Sequence, residues 1–490
     1  MALGAHTPEH LFDHAQHEIE QGDSFLEFRL DFLDHPHQGI DVLKKTLARY
    51  PEASILATCR RHQNHGRFNG SVEEQLHLLE QAIEGGAMAV DVEIETAEVA
   101  SDHVGRLRNH CKLVVSYHNF ETTPNMDQVL RRMTRIPADA YKIVTTARKQ
   151  SDNSRVLALA RSNPRVPMVV LAMGEVGFPT RVLSTAFSGL YTYAAPLRAE
   201  GTAAGQVTAR VLRHTYRLEK LCKTAKLYGV IADPVRHSIS PVVHNRAFQA
   251  KRIDAVYLPL LVHAAQLKDF MIAANQFPLA GFSVTLPHKQ KIIRYLDVVD
   301  PLSRRIGAVN TVWKRGGKWR GTNTDAAAVT GPLYKMMKPA HARVLVVGNG
   351  GAARSAACAL IAAGSQVAIT GRNPDRIRAL AKMCDAEPVL REKLADHHFD
   401  ALVHATPLGM FPHNDTCFFD GSIPADIVFD MVYNPLETVL IRRASEQKKT
   451  VINGLEMFIE QASKQFEIWT GESAPVAAMR KAALETLLAK

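Results

Sequence analysis

The chain has 490 residues, of which 46% are hydrophobic and 22% charged, a composition typical of a soluble globular protein. The net charge of +10 is not gathered into a dense Lys/Arg run, which argues against nucleic-acid binding and suits small anionic ligands. No apolar run is long enough for a membrane span, no signal peptide pattern begins the chain, and the six cysteines form no CxxC pair. We therefore expect a cytoplasmic protein with reduced thiols, no structural metal and no membrane partner.

Strand-like and helix-like patterns alternate through the first half, which predicts a parallel sheet in a (β/α)₈-type barrel over residues 1–212. The pattern contains seven strand-like runs, at 24–32, 54–60, 87–94, 112–118, 140–145, 167–173 and 190–195. A further strand should precede the helical segment 8–21, where only Met1–Gly4 remain. We therefore expect the first strand of the barrel to be missing.

Two residues at the ends of neighbouring strand-like runs, His118 and Lys142, carry the chemistry predicted for this half. Barrel enzymes hold their reactive groups at the carboxyl ends of the strands. A desolvated lysine loses its proton and can form an imine with a ketone, and an imidazole can then move protons. The combination favours elimination or aldol chemistry beside a carbonyl. The alternative is a structural lysine that points outward from an edge strand.

The motifs LEFRLD, SYHNF, YKIV, MGEVGFPTRVLSTAFSGLYTYA and TAAGQ occur in this order. Through these motifs, residues 1–212 resemble type I 3-dehydroquinate dehydratase. The resemblance implies syn elimination of water through a Schiff base on Lys142, with His118 as the general acid/base. It also implies that the substrate is held by a set of polar residues: Glu27, Arg29, Arg60, Arg181, Thr202 and Gln206.

Two loops depart from that family. The run Thr202-Ala203-Ala204-Gly205-Gln206 stands where Ser-Ala-Pro-Gly-Gln is usual, so the loop keeps a hydroxyl and loses a stiff proline. The run Asn64-His65-Gly66 stands where Glu-Gly-Gly is common, so a lid carboxylate is absent or replaced.

A basic linker is predicted at residues 213–226, and a second alternating region follows it. Its segment 342–370 reads as strand, glycine turn, helix and strand, the pattern of a dinucleotide-binding lobe. The pyrophosphate turn is predicted at Gly348, Asn349, Gly350, Gly351, Ala352, Ala353 and Arg354. Arg372 and Arg376 follow the next strand and favour a 2′-phosphate, hence NADP(H); the alternative is two solvated arginines at a helix start.

The motifs HSISP, SVTLPHK, GAVNT, GTNTD, HATPLGM, DMVYNP and NGLEMFIEQASKQFEIWTG cover nearly all of residues 227–490. They resemble shikimate dehydrogenase. The resemblance implies a substrate lobe at 227–330 and an NADP-binding Rossmann-like lobe at 331–490, whose C-terminal helices return to the substrate lobe. It implies that Lys289 and Asp325 are the catalytic pair.

The same resemblance assigns the residues around that pair. Ser238, Ser240 and Thr285 would hold the ring carboxylate, and Asn310, Asp325, Tyr433 and Gln461 would bind the ring hydroxyls. Met431 and Gly454 would lie beside the nicotinamide. The two serines leave little room for a further ring hydroxyl, which favours shikimate over quinate.

Together the halves predict a fused enzyme for two consecutive reactions, from 3-dehydroquinate to 3-dehydroshikimate and then, with NADPH, to shikimate. Three alternatives stay open: a shikimate dehydrogenase with an impaired barrel, a catabolic quinate enzyme using NAD, and a non-catalytic ligand-binding module. Retention of both lysines with His118 and Asp325 argues against the last. The sequence leaves open whether the barrel forms oligomers.

Overall fold

A computed structural model describes residues 1–198, 201–410 and 413–489. By its internal contacts the chain divides into two units, Met1–Ala225 with Leu260–Phe277, and Lys226–Pro259 with Pro278–Lys490. The domain boundaries predicted from the sequence stay predictions. Within the described ranges, no helix is long and apolar enough to cross a membrane.

Seven parallel strands in sequential order, β1 to β7, form the sheet of the first unit. Both faces of these strands are buried, because helices cover the outside and side chains fill the inside. The strands are β1 Ala2–Leu3, β2 Phe25–Arg29, β3 Ser54–Thr58, β4 Ala89–Glu93, β5 Lys112–His118, β6 Ala140–Thr146 and β7 Met168–Met173. The helices are α1 Pro8–Glu20, α2 Gln38–Arg49, α3 Val72–Glu84, α4 Ile94–Val99, α5 Ser101–Arg108, α6 Met126–Met133, α7 Gln150–Ser162 and α8 Phe178–Leu183.

The first strand, expected to be missing, is present in a short form. Strand β1 pairs in parallel with β2, and both of its residues are fully buried. The seventh predicted strand, at 190–195, is irregular instead, but it lies between β7 and β1. Leu190 N donates to Met168 O (2.8 Å) and Ala2 N donates to Ala194 O (3.4 Å), so the segment closes the ring of strands.

The second unit begins with a mixed six-stranded sheet in the order β11-β13-β12-β10-β8-β9. Its strands are β8 Lys226–Ala232, β9 Ala255–Leu261, β10 Leu279–Val284, β11 Val298–Val299, β12 Thr311–Arg315 and β13 Lys318–Thr322. The helices of this stretch are α9 Ser240–Ala250, α10 Leu267–Gln276, α11 Pro301–Ile306 and α12 Thr324–Tyr334, of which α10 belongs by its contacts to the first unit.

A parallel six-stranded sheet follows in the order β16-β15-β14-β17-β18-β19, which is the doubly wound Rossmann order. Its strands are β14 Arg343–Val347, β15 Gln366–Thr370, β16 Glu387–Pro388, β17 Phe399–His404, β18 Ala425–Asp430 and β19 Thr450–Ile452. The helices are α13 Gly351–Ala362, α14 Pro374–Cys384, α15 Val439–Glu446, α16 Gly454–Thr470 and α17 Val476–Leu488. The strand order reverses beside β14, where such sheets bind their ligands.

Helix α16 packs on the mixed sheet through Trp469. The indole Nε1 donates to Val312 O (3.1 Å), and the backbone at Gly281 comes so close that a Cβ there would lie 2.7 Å from both of those atoms. Glycine is therefore required at position 281 by the close approach of the helix.

We expect Gly281→Ala to destabilise the second unit by about 1–3 kcal/mol, the usual cost of overpacking a filled interior. Urea unfolding followed by tryptophan fluorescence measures this directly, since all three tryptophans (Trp313, Trp319 and Trp469) lie in this unit. The matched control is Gly421→Ala, because nothing lies within 4 Å of its added Cβ. An unchanged unfolding midpoint for Gly281→Ala would contradict the packing argument.

Candidate active sites

Lys142 points into the ring of strands from the middle of β6. Its side chain is 4% exposed, and Nζ donates to Asp91 Oδ2 (2.8 Å) and to Glu27 Oε1 (3.2 Å). The ammonium also lies 4.4 Å from the centre of the Tyr193 ring. The alternative of an outward-pointing lysine on an edge strand is therefore wrong.

The charge state of Lys142 differs from the sequence expectation. Burial alone lowers the pKa of the amine, but the carboxylates of Asp91 and Glu27 raise it by more, so the pKa lies above its ordinary value. Burial likewise acts to raise the pKa of Asp91, and the charges of Lys142 and Arg60 bring it below its ordinary value. The resting site thus holds an ammonium between carboxylates rather than a neutral amine, because neighbouring strands supply the anions.

His118 ends β5 and lines the same pocket. Desolvation, together with the positive charges of Arg60, Lys142 and Arg29, holds the pKa of His118 well below its ordinary value. The imidazole is therefore neutral near pH 7 and can accept a proton.

Two of the three arginines predicted in the barrel site have guanidinium N–H groups with no acceptor among the described residues. Arg181 is 2% exposed, its Nη2 donates to Ala204 O (3.2 Å), and burial lowers its pKa to about 10. Its Nε finds no acceptor, and it has no carboxylate partner, among the residues that the structure describes. Arg60 Nη2 lies 3.7 Å from Asp91 Oδ1, too far for a hydrogen bond, and Nε is likewise unpartnered within the described chain. Buried guanidinium donors without partners are suited to a bound anion or hydroxyl group.

Arg29 is used differently. Its Nε and Nη2 donate to the two carboxylate oxygens of Asp31 (2.9 and 2.8 Å), and its guanidinium stacks on the Phe32 ring (4.5 Å). This pairing fixes Arg29 as a positive charge in the wall of the pocket.

The structure brings all eight predicted barrel residues to one pocket: Glu27, Arg29, Arg60, His118, Lys142, Arg181, Thr202 and Gln206. Gln206 Nε2 donates to Thr202 Oγ1 (3.4 Å) within the loop that lacks the usual proline. Their individual roles stay predictions. Asp91, which joins Lys142 to Arg60, was missed; the available signal was a carboxylate in the middle of an otherwise apolar, buried strand.

In the second unit, Lys289 Nζ donates to Asp325 Oδ2 (2.6 Å), and Asn310 Nδ2 donates to Asp325 Oδ1 (2.7 Å). Lys289 follows β10, and Asp325 lies in the first turn of α12. The Lys289 side chain is 27% exposed and that of Asp325 is 8% exposed, so the pair lies at an accessible edge. Thr324 N donates to Asn310 Oδ1 (2.8 Å) and fixes the orientation of that amide.

The other predicted substrate residues of this unit are less closely connected. Ser240 begins α9, and its N donates to Ser238 Oγ (3.3 Å). Tyr433 packs against Phe458 on α16, the helix that also carries Gln461. In the described ranges, no hydrogen bond links Thr285, Tyr433 or Gln461 to the Lys289–Asp325 pair.

Gln465, one turn beyond Gln461 on α16, was missed by the sequence analysis. Its Nε2 donates to Thr311 Oγ1 (3.1 Å) and to Asn310 O (3.3 Å), and its Oε1 accepts from Ser283 Oγ (2.9 Å). It therefore braces the segment that carries Asn310. The signal was its spacing of four residues from Gln461, which puts both on one face of the helix.

The predicted pyrophosphate turn joins β14 to the start of α13. Gly348 has φ +132°, and a Cβ there would lie 2.7 Å from Ala405 O; added Cβ atoms at Gly350 and Gly351 would meet open space. Ala353 is buried against the sheet, whereas Asn349 is exposed and Ala352 half-buried. The open backbone at a helix N-terminus fits a pyrophosphate.

Three predicted cofactor arginines lie in this turn or after the following strand, β15. Arg354 Nη2 donates to Gly307 O (3.3 Å), while its buried Nε has no acceptor among described residues. Arg372 and Arg376 are exposed beside the start of α14, where the nearby Asp375 pairs with Arg378 (2.6 Å) instead. Neither has an ion-pair partner within the described chain, so both are available to a 2′-phosphate.

Met431 and Gly454 lie together at the end of β18. Met431 N donates to His404 O (3.0 Å), and a Cβ at Gly454 would lie 2.3 Å from Val432 O. The start of α16 thus packs directly on this strand end.

Family models match the chain in four stretches. Type I 3-dehydroquinase matches residues 2–222, and the shikimate dehydrogenase substrate binding domain matches 230–312. Shikimate / quinate 5-dehydrogenase matches 334–407, and the shikimate 5′-dehydrogenase C-terminal domain matches 454–484.

Among curated relatives, the chain is 34% identical over 481 residues to the chloroplastic bifunctional 3-dehydroquinate dehydratase/shikimate dehydrogenase of Arabidopsis thaliana, covering 93% of this chain and 79% of the relative. It is 31% identical to the shikimate biosynthesis protein AroDE of Chlamydia pneumoniae, covering 78% of each.

Two solved shikimate dehydrogenases resemble the second half. One, in complex with NADP⁺, is 33% identical, with a TM-score of 0.51 over 55% of this chain and 97% of that chain. The other, from Thermus thermophilus with NADP(H) and shikimate, is 32% identical, with a TM-score of 0.50 over 54% of this chain and all of that chain. From its strand order and this likeness over 93% of its length, the chain belongs to the family of bifunctional 3-dehydroquinate dehydratases/shikimate dehydrogenases.

Proposed function

We propose that this chain dehydrates 3-dehydroquinate to 3-dehydroshikimate in its first unit and reduces that ketone to shikimate with NADPH in its second. The observation that carries the proposal is the difference between the two lysine sites. Lys142 is buried between two carboxylates and lies in one pocket with arginines whose guanidinium N–H groups lack acceptors among the described residues. Lys289 is paired with one carboxylate, that of Asp325, and is partly exposed to solvent.

In the barrel, Lys142 must first give up a proton, and Asp91 and Glu27 are both within hydrogen-bonding distance to accept it. The amine then attacks the substrate ketone, releases water and forms an imine that withdraws electrons from the adjacent carbon. Neutral His118 removes a proton from that carbon, and the C–H electron pair becomes the new C=C bond. His118 then donates a proton to the hydroxyl on the next carbon, which leaves with the C–O electron pair as water. Arg60 and Arg181 hold the carboxylate of the substrate, and hydrolysis of the imine frees the product.

In the second unit, NADPH supplies the hydride when it is bound. The Lys289 ammonium donates the proton to the ketone oxygen, Asp325 holds that ammonium at 2.6 Å, and Asn310 fixes the carboxylate. Gly348–Ala353 and Arg354 would hold the pyrophosphate, and Arg372 with Arg376 the 2′-phosphate.

We further infer a reducing compartment, in keeping with the expected cytoplasmic location. All six cysteines are free thiols, including Cys358 and Cys384, whose Sγ atoms lie 3.4 Å apart. The proposed partners are the small-molecule substrates and NADP(H), with neither nucleic acid nor membrane. The two serines, Ser238 and Ser240, support shikimate over quinate.

The two activities are expected to separate by single substitutions. Lys142→Ala should lose dehydration and the borohydride-trapped substrate adduct seen by mass spectrometry, because the imine forms on Nζ, while ketone reduction continues. Lys289→Ala should lower the reductase kcat by about 10²–10⁴-fold, the usual contribution of a proton donor, and leave dehydration intact. Each variant is the control of the other, and full activity of either in its own reaction would refute that assignment.

Asp91→Asn is expected to lower the pKa of Lys142, because Asp91 is the stronger of the two carboxylates that raise it. The amine then becomes neutral at a lower pH, so the rising limb of the dehydratase kcat/KM profile should move to lower pH. The asparagine Oδ1 can still accept from Ser116 Oγ (2.6 Å to Asp91). Asp127→Asn, on the exposed face of α6, is the control; an unmoved limb in Asp91→Asn would contradict this prediction.

Replacing Arg372 and Arg376 together with Ala is expected to raise KM for NADPH about 10–100-fold, because charge-assisted hydrogen bonds to a phosphate contribute about 1.5–3 kcal/mol. KM for NADH should change little. Arg378→Ala on the same helix is the matched control, since Arg378 is paired with Asp375. An equal loss for both cofactors would argue against 2′-phosphate recognition.

A further inference from the structure

Two cysteines beside the parallel six-stranded sheet lie against each other, and the mechanism above uses neither. Cys358 is in the middle of α13, and Cys384 is the last residue of α14. Their Sγ atoms are 3.4 Å apart, and both side chains are fully buried. The two residues are 26 positions apart along the chain, so the contact is a product of the fold.

The packing of α13 and α14 explains how the thiols meet and how a reagent can reach them. Helix α13 reads GAARSAACALIA, and its small alanines share one core cluster with Cys358, Cys384 and Ala381. After Cys384 the chain turns through Asp385 in a left-handed conformation (φ 63°), and the preceding Met383 is 44% exposed. Helix ends fray, and fraying of this last turn is sufficient to admit a water-sized molecule.

The Cys358 thiol differs from the buried cysteines of the first unit in its acidity. The hydrogen bond with Cys384 lowers the pKa of Cys358 to about 7 against the effect of burial, and the same bond raises the pKa of Cys384, which keeps its proton. Burial raises the pKa of the Cys111 thiol to about 11 and that of Cys59 well above its ordinary value. Since the thiolate is the reactive form, Cys358 is reactive near neutral pH where Cys59 and Cys111 are not.

Two arginines place positive charge beside the pair and connect it to the proposed cofactor site. Arg354, one turn before Cys358 on α13, and Arg305 lower the pKa of Cys358 further. Arg305 Nη2 also donates to Cys384 O (3.3 Å). Arg354 belongs to the predicted pyrophosphate turn, and α14 begins shortly after Arg372. The helices that meet at the two thiols are thus the helices that start at the proposed phosphate sites.

We propose that Cys358 and Cys384 form a reversible disulfide bond with a small peroxide as the oxidant, and that this bond weakens NADPH binding. The Cys358 thiolate attacks one peroxide oxygen, the O–O bond breaks, and a sulfenic acid forms while the other oxygen leaves as hydroxide and takes up a proton. The Cys384 sulfur then attacks the Cys358 sulfur, and the sulfenic hydroxyl leaves with the thiol proton as water. The peroxide gains the two electrons that the sulfurs lose, and a dithiol reductant reverses the reaction.

Closing the bond must move the two helices. A disulfide bond is shorter than the 3.4 Å contact between the thiols, so α13 and α14 are drawn together. Close-packed interiors transmit such a displacement, which therefore reaches the start of each helix. In a reducing compartment the bond would be transient, as is usual for redox-sensing pairs. The effect on NADPH rests on the proposed reductase function, whereas the disulfide itself does not.

The test treats the full chain with one equivalent of hydrogen peroxide and then alkylates the remaining thiols under denaturing conditions. Mass spectrometry should show four alkylated cysteines instead of six and one peptide pair that joins Cys358 to Cys384. Dithiothreitol should restore all six thiols. The Kd for NADPH, measured from its fluorescence, should rise about 5–150-fold on oxidation, the usual range of coupling between two sites. Dehydration should be unchanged.

Cys358→Ala and Cys384→Ala should each abolish both the cross-link and the rise in Kd. Cys417→Ser, a half-buried cysteine of the same unit, is the matched control and should keep both. Six free thiols after treatment, a cross-link through another cysteine, or an unchanged Kd in a chain that is cross-linked would each overturn the proposal. A chain that binds NADPH and fails to reduce the ketone would instead refute the proposed reductase function, because mass and binding are measured without turnover.

Discussion

The barrel is organised around one buried charge cluster, the Lys142 ammonium between the carboxylates of Asp91 and Glu27. Burying an unpaired ion costs several kcal/mol, so each of the three charges depends on the others. They come from β6, β4 and β2, and alternate strands of such a barrel contribute side chains to one interior layer. Closure of the ring is therefore a condition for the cluster, and the cluster in turn fixes the position of the amine that we propose as the nucleophile.

The second unit also pairs a lysine with an aspartate, Lys289 with Asp325, and we propose a different role for that lysine. Lys289 is 27% exposed and is bound to one carboxylate, which itself is held by Asn310. A lysine near solvent that has donated its proton can regain one from water. An ammonium enclosed by two carboxylates can instead pass its proton to one of them. Exposure and the number of partners thus differ between Lys289, the proposed proton donor, and Lys142, the proposed imine-forming amine, although both sites contain lysine and aspartate.

Sequence patterns predicted the parts of the molecule that repeat. The long apolar runs identified β2 to β7, and the glycine turn identified the start of α13. Strand β1 was missed because two residues carry no periodicity, and Asp91 was missed because its partners are 51 and 31 residues away along the chain. The protonation of Lys142 could not be predicted either, since it depends on which strands face each other across the ring.

The ring closes through few backbone hydrogen bonds, at the irregular segment 190–194 between β7 and β1. That segment also carries Tyr193, whose ring lies 4.4 Å from the Lys142 ammonium. The irregular part of the wall is therefore next to the buried amine for which we propose the imine-forming role. The closure of the wall and the enclosure of the Lys142 ammonium therefore depend on the same few residues, so a substitution that loosens one loosens the other.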